Sequence, residues 1–259
     1  MNIIPDRIDE VERHYEPVKM VSDLAVYLYW ASIVISIIIL YKDSMPYKSW
    51  SDIITYLFPV LVVGKFITQN VINLWLLPAA ENNRRESMLS DSFGVPLSQD
   101  QTNLYYNNKL RPSLDRMALS TMENTYFTKN TLLIMLKRSI IISGAYFLLW
   151  FVLLQSRDTS IDWVWIATQT LFSELILLKT LKIGVYYFRV STIFRELHTH
   201  HLYKINASNN TGIAKIIELF TEYETAKAHA SLLLSEKIFK KHNPRLTAEW
   251  EKLKSGLSY

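Results

Sequence analysis

Lys65, Gln69 and Asn73 follow one another at intervals of four inside an otherwise apolar run, FPVLVVGKFITQNVINLWLLP (58–78). Residues four apart lie on one side of a helix, so an ammonium and two amides share a face. A second group, Thr170 and Glu174 with Ser173 beside them and Gln169 a turn earlier, lies in DWVWIATQTLFSELILLKTLKIGVYYF (162–188). Such groups in apolar surroundings can do one of two things. They tie helices together by hydrogen bonds, or they line a watered path for ions. For the amides the two readings weigh equally. For Lys65 and Glu174 the path is favoured, because a charge near the bilayer centre costs about 2.5–3.5 kcal/mol and calls for a partner or water.

A third cluster is YYNNKLRP (105–112), carrying Tyr105, Tyr106, Asn107, Asn108, Lys109 and Arg111. Tyrosines stack on bases, asparagines read base edges, and cations neutralise phosphate, so the cluster could hold a nucleotide together with Arg84 and Arg85. The competing reading is an Asn-rich turn at a membrane surface, with Arg84, Arg85 and Lys109 touching lipid phosphates. His198, His200 and His201 offer imidazoles, but only His198 and His201 share a helix face and no carboxylate pair is near in sequence. They read as solvated histidines and no metal site is expected. Phosphate-cradling loops, a nucleophile elbow and His-Glu-x-x-His are all missing, so neither an enzyme nor a cofactor is expected.

These residues must be positioned by helices that cross a membrane. Four apolar blocks stand out: 21–41, 53–79, 139–155 and 162–188. A bilayer core about 30 Å thick needs roughly 20 helical residues, which most of them supply. The links KDSMPYKSWSD and SRDTSI hold two and one Lys or Arg, against eight in the central segment and thirteen after residue 178. The positive-inside rule then puts both termini and the centre in the cytoplasm. The expected chain is an all-α membrane protein of two helical hairpins. Its segments are a cytoplasmic start (1–20), a first hairpin (21–79), an insert (80–138), a second hairpin (139–187) and a helical tail (188–259). Lys65 and Glu174 each lie roughly 18 Å from the outer surface on parallel spans, so they are expected to face each other. A soluble all-α protein burying these helices is the alternative, and it leaves the charge asymmetry unexplained.

The tail is expected to hold one long amphipathic helix, with Ile213, Ile216, Phe220, Tyr223, Ala230 and Leu234 along a face that needs a partner. FGVPLS (93–98) reads as a turn around Gly94 and Pro96, and Pro112-Ser113 as the start of a helix running towards block 3. A net charge of +4 is too small to argue for a DNA or RNA duplex as partner. The chain has no cysteine, which excludes disulfides and thiolate sites. Its charged opening, MNIIPDRIDEVERHYEP, does not read as a cleaved signal peptide.

The NIIPDR opening, two spans, an insert with SDSFGVPLS, two more spans and a helical tail resemble the SMODS-associated four-transmembrane effectors. The resemblance covers most of the chain in layout, and only the opening and the FGVPLS region in wording. It implies a pore former in the inner membrane of a bacterium, encoded in an antiphage operon; because a single four-helix bundle leaves little room for a lumen, a homo-oligomer is expected. A neighbouring cyclase would supply a cyclic oligonucleotide as its ligand. It implies no particular site residues. Two other classes stay open: a non-conducting anchor whose tail recruits a soluble partner, and a small transporter.

Overall fold

The computed structural model describes residues 8–41, 47–100, 102–103, 108, 110–155, 160–171, 174–202 and 209–257. The described chain is helical apart from one two-residue strand pair. Eight helices follow in order: α1 (Glu16–Ile39), α2 (Lys48–Val71), α3 (Leu77–Phe93), α4 (Leu114–Gln155), α5 (Ile161–Leu171), α6 (Lys179–Leu202), α7 (Asn210–Ala230) and α8 (Glu236–Ser255). Two π-helical turns, Ile72–Leu76 and Glu174–Leu178, sit between α2 and α3 and ahead of α6. The strands Ile8–Asp9 (β1) and Thr102–Asn103 (β2) pair antiparallel, Ile8 opposite Asn103.

The chain divides into two compact units. An apolar unit comprises His14–Ala79 and Ser139–Thr180; a polar unit comprises Met1–Arg13, Ala80–Arg138 and Leu181–Tyr259. The division follows the sequence's own alternation of apolar blocks and polar segments.

In the apolar unit, Pro17 in the first turn of α1 costs no hydrogen bond, because the first N–H groups of a helix have no intrahelical partner. Val18, Ala25 and Tyr29 turn inward, while Leu24, Tyr27, Trp30 and Val34 are exposed. α2 does the same with Ile53, Tyr56, Val60, Val63 and Ile67 outward. Gly64 of α2 faces α1, and a Cβ placed there would make an ordinary contact with Leu28 Cδ1 at 3.5 Å. Pro59 removes one N–H from the α2 ladder, yet the helix continues through it.

Among the described residues three helical stretches are long and apolar enough to cross a membrane: Glu10–Ile39, Ser49–Phe93 and Leu114–Gln155. Only 11%, 11% and 17% of their most apolar windows are buried within the chain. A helix apolar on all sides belongs in a core or in lipid, and these are not in a core. Burying them inside a soluble globule, the alternative weighed from sequence, is not what this fold does.

The polar unit is a helical assembly with its own apolar core. Its core joins Met88 of α3, Met117, Leu119 and Met122 of α4, Ile183 and Leu197 of α6, Leu219 of α7 and Trp250 of α8. The expected single tail helix is instead two. Ser231 adopts the left-handed conformation (φ 44°) after Ala230 and ends α7, and the Ser235 hydroxyl then accepts the Ile238 N–H to start α8. The physical reason is local: a left-handed residue breaks the ladder and a serine recaps it. Of the expected α7 stripe, Ile216, Tyr223 and Ala230 are buried, and the partner that covers them includes α4 of the central segment. Leu234 falls beyond the helix.

The N-terminal strand is clasped to the insert. Arg84 Nη1 and Nη2 donate to the two Asp9 carboxylate oxygens at 2.8 and 3.0 Å, and Arg13 pairs with Asp100. The FGVPLS stretch is a turn, as expected. Gly94 has φ 64°, and the Ser90 hydroxyl accepts the Leu97 and Ser98 N–H groups at 3.1 and 2.9 Å.

Candidate functional site

The apolar unit holds a half-open, mostly apolar cleft of about 180 Å³ lined from α1 by Tyr29, Ser32, Ile33 and Ser36. α2 adds Phe58, Val62 and Lys65, and α5 adds Ile166 and Thr170. The Lys65 ammonium lies 6.0 Å from the centroid of the Tyr29 ring, at the outer reach of a cation–π contact. Tyr29, only 7% exposed, donates its hydroxyl proton to the Thr170 carbonyl at 3.2 Å, so α1 holds α5 by a buried hydrogen bond. Thr170 Oγ1 donates to the Ile166 carbonyl at 2.8 Å, and Ser32 Oγ to the Tyr29 carbonyl at 2.7 Å. Both hydroxyls donate their proton to their own helix.

Of the expected polar face, Lys65 and Thr170 therefore line one cleft. Gln69 Nε2 donates to Asn73 Oδ1 at 3.2 Å, so these two amides satisfy each other along α2, as their spacing of four allows. Asn73 stands inside the first π turn and Glu174 opens the second. Ser173 and the Glu174 side chain lie outside the described residues, and so does the expected Lys65–Glu174 encounter. Tyr29, Ser32 and Ser36 were missed from sequence. Their signal was legible, since intervals of three and four trace one stripe through an apolar helix.

The insert cluster is divided. Tyr105, Tyr106, Asn107 and Lys109 lie outside the described residues. Asn108 Nδ2 donates to the Arg116 carbonyl (3.1 Å) and the Ser120 hydroxyl (3.2 Å). Arg116 in turn grips Asp91 of α3 through Nη2 and Nε at 2.6 and 3.2 Å. Asn108 is thus spent on anchoring the start of α4, and Arg84 on Asp9. Arg85 donates to Asn82 on the same helix, and Arg111 is exposed.

Two of the three histidines, His200 and His201, are buried rather than solvated as expected, and His198 is partly exposed. His200 and His201 are 4% and 8% exposed, and His198 stacks on Phe194 with centroids 5.9 Å apart. Burial lowers the affinity of all three imidazoles for protons, His201 the most, down to about 4, with the neighbouring histidines adding to its shift. Lys129 caps the other aromatic contacts of Phe194, its ammonium 3.3 Å from that ring centroid. Among the described residues no group of three or more His, Cys, Asp or Glu could hold a metal ion.

Compared with known proteins, the chain matches no family model, no curated protein and no solved structure.

Proposed function

We propose that this chain is a pore-forming effector of the bacterial inner membrane, with four spans in two hairpins and both termini cytoplasmic. The observation that carries this reading is the polarity of the apolar unit. Trp30, Val34, Val60 and Val63 point outward, while Lys65, Ser32, Ser36 and Thr170 line one half-open cleft between helices. That arrangement suits lipid outside and water or ions inside. A cleft of about 180 Å³ admits only a handful of waters, so conduction calls for several copies assembled around a common path.

Gating would come from the polar unit. α4 supplies Leu114–Arg138 to that unit and continues from Ser139 in the apolar one without a break in its helix. A ligand that favours one packing of the polar unit would act on the spans through such helices, by the difference of its affinities for the two packings. The ligand class proposed is a cyclic oligonucleotide and the setting antiphage defence. Both rest on the likeness of NIIPDR and SDSFGVPLS to the four-transmembrane effectors. A non-conducting anchor is the second reading, favoured by the smallness of the cleft in one copy.

Three measurements test these statements. Planar-bilayer recordings should show currents whose conductance or selectivity changes with Lys65→Leu; unchanged currents remove Lys65 from the path, and no current leaves the anchor. Because the chain lacks cysteine, single cysteines report topology without background. Ser49→Cys and Ser160→Cys should react with an impermeant maleimide from outside, Ser98→Cys and Ser255→Cys only after lysis; the opposite pattern defeats the topology. Calorimetry with a panel of cyclic di- and trinucleotides should find one binder, and silence across the panel defeats the sensing role.

A further inference from the structure

The outward face of α6 changes character along its length. Leu181, Val185 and Phe188 are 57%, 55% and 68% exposed, whereas the exposed residues that follow are Arg189, Thr192, Arg195 and Thr199. The opposite face is fully committed, with Ile183, Tyr186 and Val190 in the core of the polar unit. This stretch is therefore apolar on both sides, in a unit that also exposes Phe93, Val95, Leu97 and Ile217.

The neighbouring helix sets a charge beside it. A Cβ at Gly184 would lie 3.7 Å from Leu136, and Phe194 packs on Tyr126 at 5.7 Å between centroids, so α4 and α6 run antiparallel. Each helix turns about 100° per residue. Lys137 is one residue past Leu136 and Val185 one past Gly184, and in antiparallel helices both turns lead to the same side. Lys137 thus stands level with Val185 on the shared face, and it is exposed, as is Arg138. Arg189 is exposed at the far end of the stripe, with Nη1 3.4 Å from His229 Nδ1 of α7, and Lys182 lies on the same outward side of α6. Acids are missing from this stretch. α4 carries none after Glu123, and α6 none before Glu196.

We propose that this face of α4 and α6 binds an acidic phospholipid, its acyl chain along Leu181 and Val185 and its phosphate held by Lys137 and Arg189. The proposal rests on the membrane-spanning reading. An apolar strip edged by cations matches an anionic amphiphile at both ends, and long lysine and arginine stems reach to headgroup level over apolar surface. A second copy of the chain does not suit the same face. A two-fold contact centred on this face would enclose the cations of both copies in one patch, with no acid from this stretch of α4 or α6 to pair them.

The test uses the full chain reconstituted in phosphatidylcholine vesicles with spin-labelled phosphatidylglycerol or phosphatidylcholine as the reporter lipid. The acidic label should associate about thirtyfold more strongly, as expected for roughly 1 kcal/mol from each of two surface cations. The double substitution Lys137→Gln with Arg189→Gln should reduce that preference to about unity, and Lys137→Arg with Arg189→Lys should keep it. Equal association of the two labels, or a preference that survives the glutamine pair, overturns the proposal. Displacement of the label by millimolar glycerol phosphate also overturns it, since the apolar strip would then contribute nothing. A chain that does not float with the vesicles instead defeats the membrane-spanning reading, a result distinct from floating without lipid preference.

Discussion

His201 illustrates how burial turns a side chain into a pH term. Its folded pKa lies at about 4, against about 6.5 unfolded. Above pH 6.5 both states are neutral and stability is at its full value. Between 6.5 and 4 the unfolded chain takes up the proton and the folded chain does not, so stability falls as pH falls. The loss reaches roughly 3 kcal/mol at the acid end. Thermal unfolding of the solubilised protein from pH 7.5 to 4.5 should show this decline, and His201→Gln should flatten it; an unaltered slope would assign the decline elsewhere. The Asp9–Arg84 pair is another residue-scale prediction. Both partners are mostly shielded, and Asp9→Ala leaves a guanidinium behind without its carboxylate. A cost of about 1–3 kcal/mol is expected, read as earlier proteolysis ahead of α1. At this scale the sequence was informative where spacing alone decides, as for Lys65, Gln69 and Asn73. It was misleading for FRELHTHHLY, because the polar wording hides that one side of α6 packs against the core. Tyr29 escaped notice because an aromatic in an apolar run reads as facing lipid until its rotation is known.

The helices themselves follow from the apolar blocks, and their ends from a few special residues. Gly94 is the sharpest case. Its φ of 64° is the left-handed region that a Cβ penalises, and an added Cβ would also lie 3.0 Å from Pro112 Cγ. Gly94→Ala should therefore destabilise the polar unit by roughly 1–2 kcal/mol, measurable as a lowered melting temperature. Gly64→Ala, with 3.5 Å to its nearest neighbour, should be near neutral and serves as the comparison. An equal effect at both positions would refute the conformational explanation. Two element-scale features were invisible beforehand. The π turns at Ile72–Leu76 and Glu174–Leu178 carry no sequence signature of their own. The break at Ser231 occurs in a stretch, HASLLLSEK, whose composition permits a continuous helix.

Taken as a whole molecule, the chain has one unit stabilised by its own core and another whose apolar surface faces outward. Only the first should respond to core truncation as a soluble protein does. Trp250 is fully buried, its ring 5.5 Å from Tyr126, whose hydroxyl donates to Glu249 at 2.9 Å. Trp250→Ala should cost about 3–5 kcal/mol, with hydrogen exchange accelerated in α4, α7 and α8. Protection lost equally in α1 and α2 would instead mean that the two units unfold together. What the amino-acid order determined by itself is the helical class, the apolar stretches long enough for a membrane, and the polar face on α2. Those depend on composition and on a period of 3.6 residues, which are local properties. Tertiary structure alone decided that Tyr29 ties Thr170 across helices, that Asp9 meets Arg84 and that the tail folds back on α4. Each of these depends on how residues far apart in the chain are rotated and brought together, and no local period encodes that.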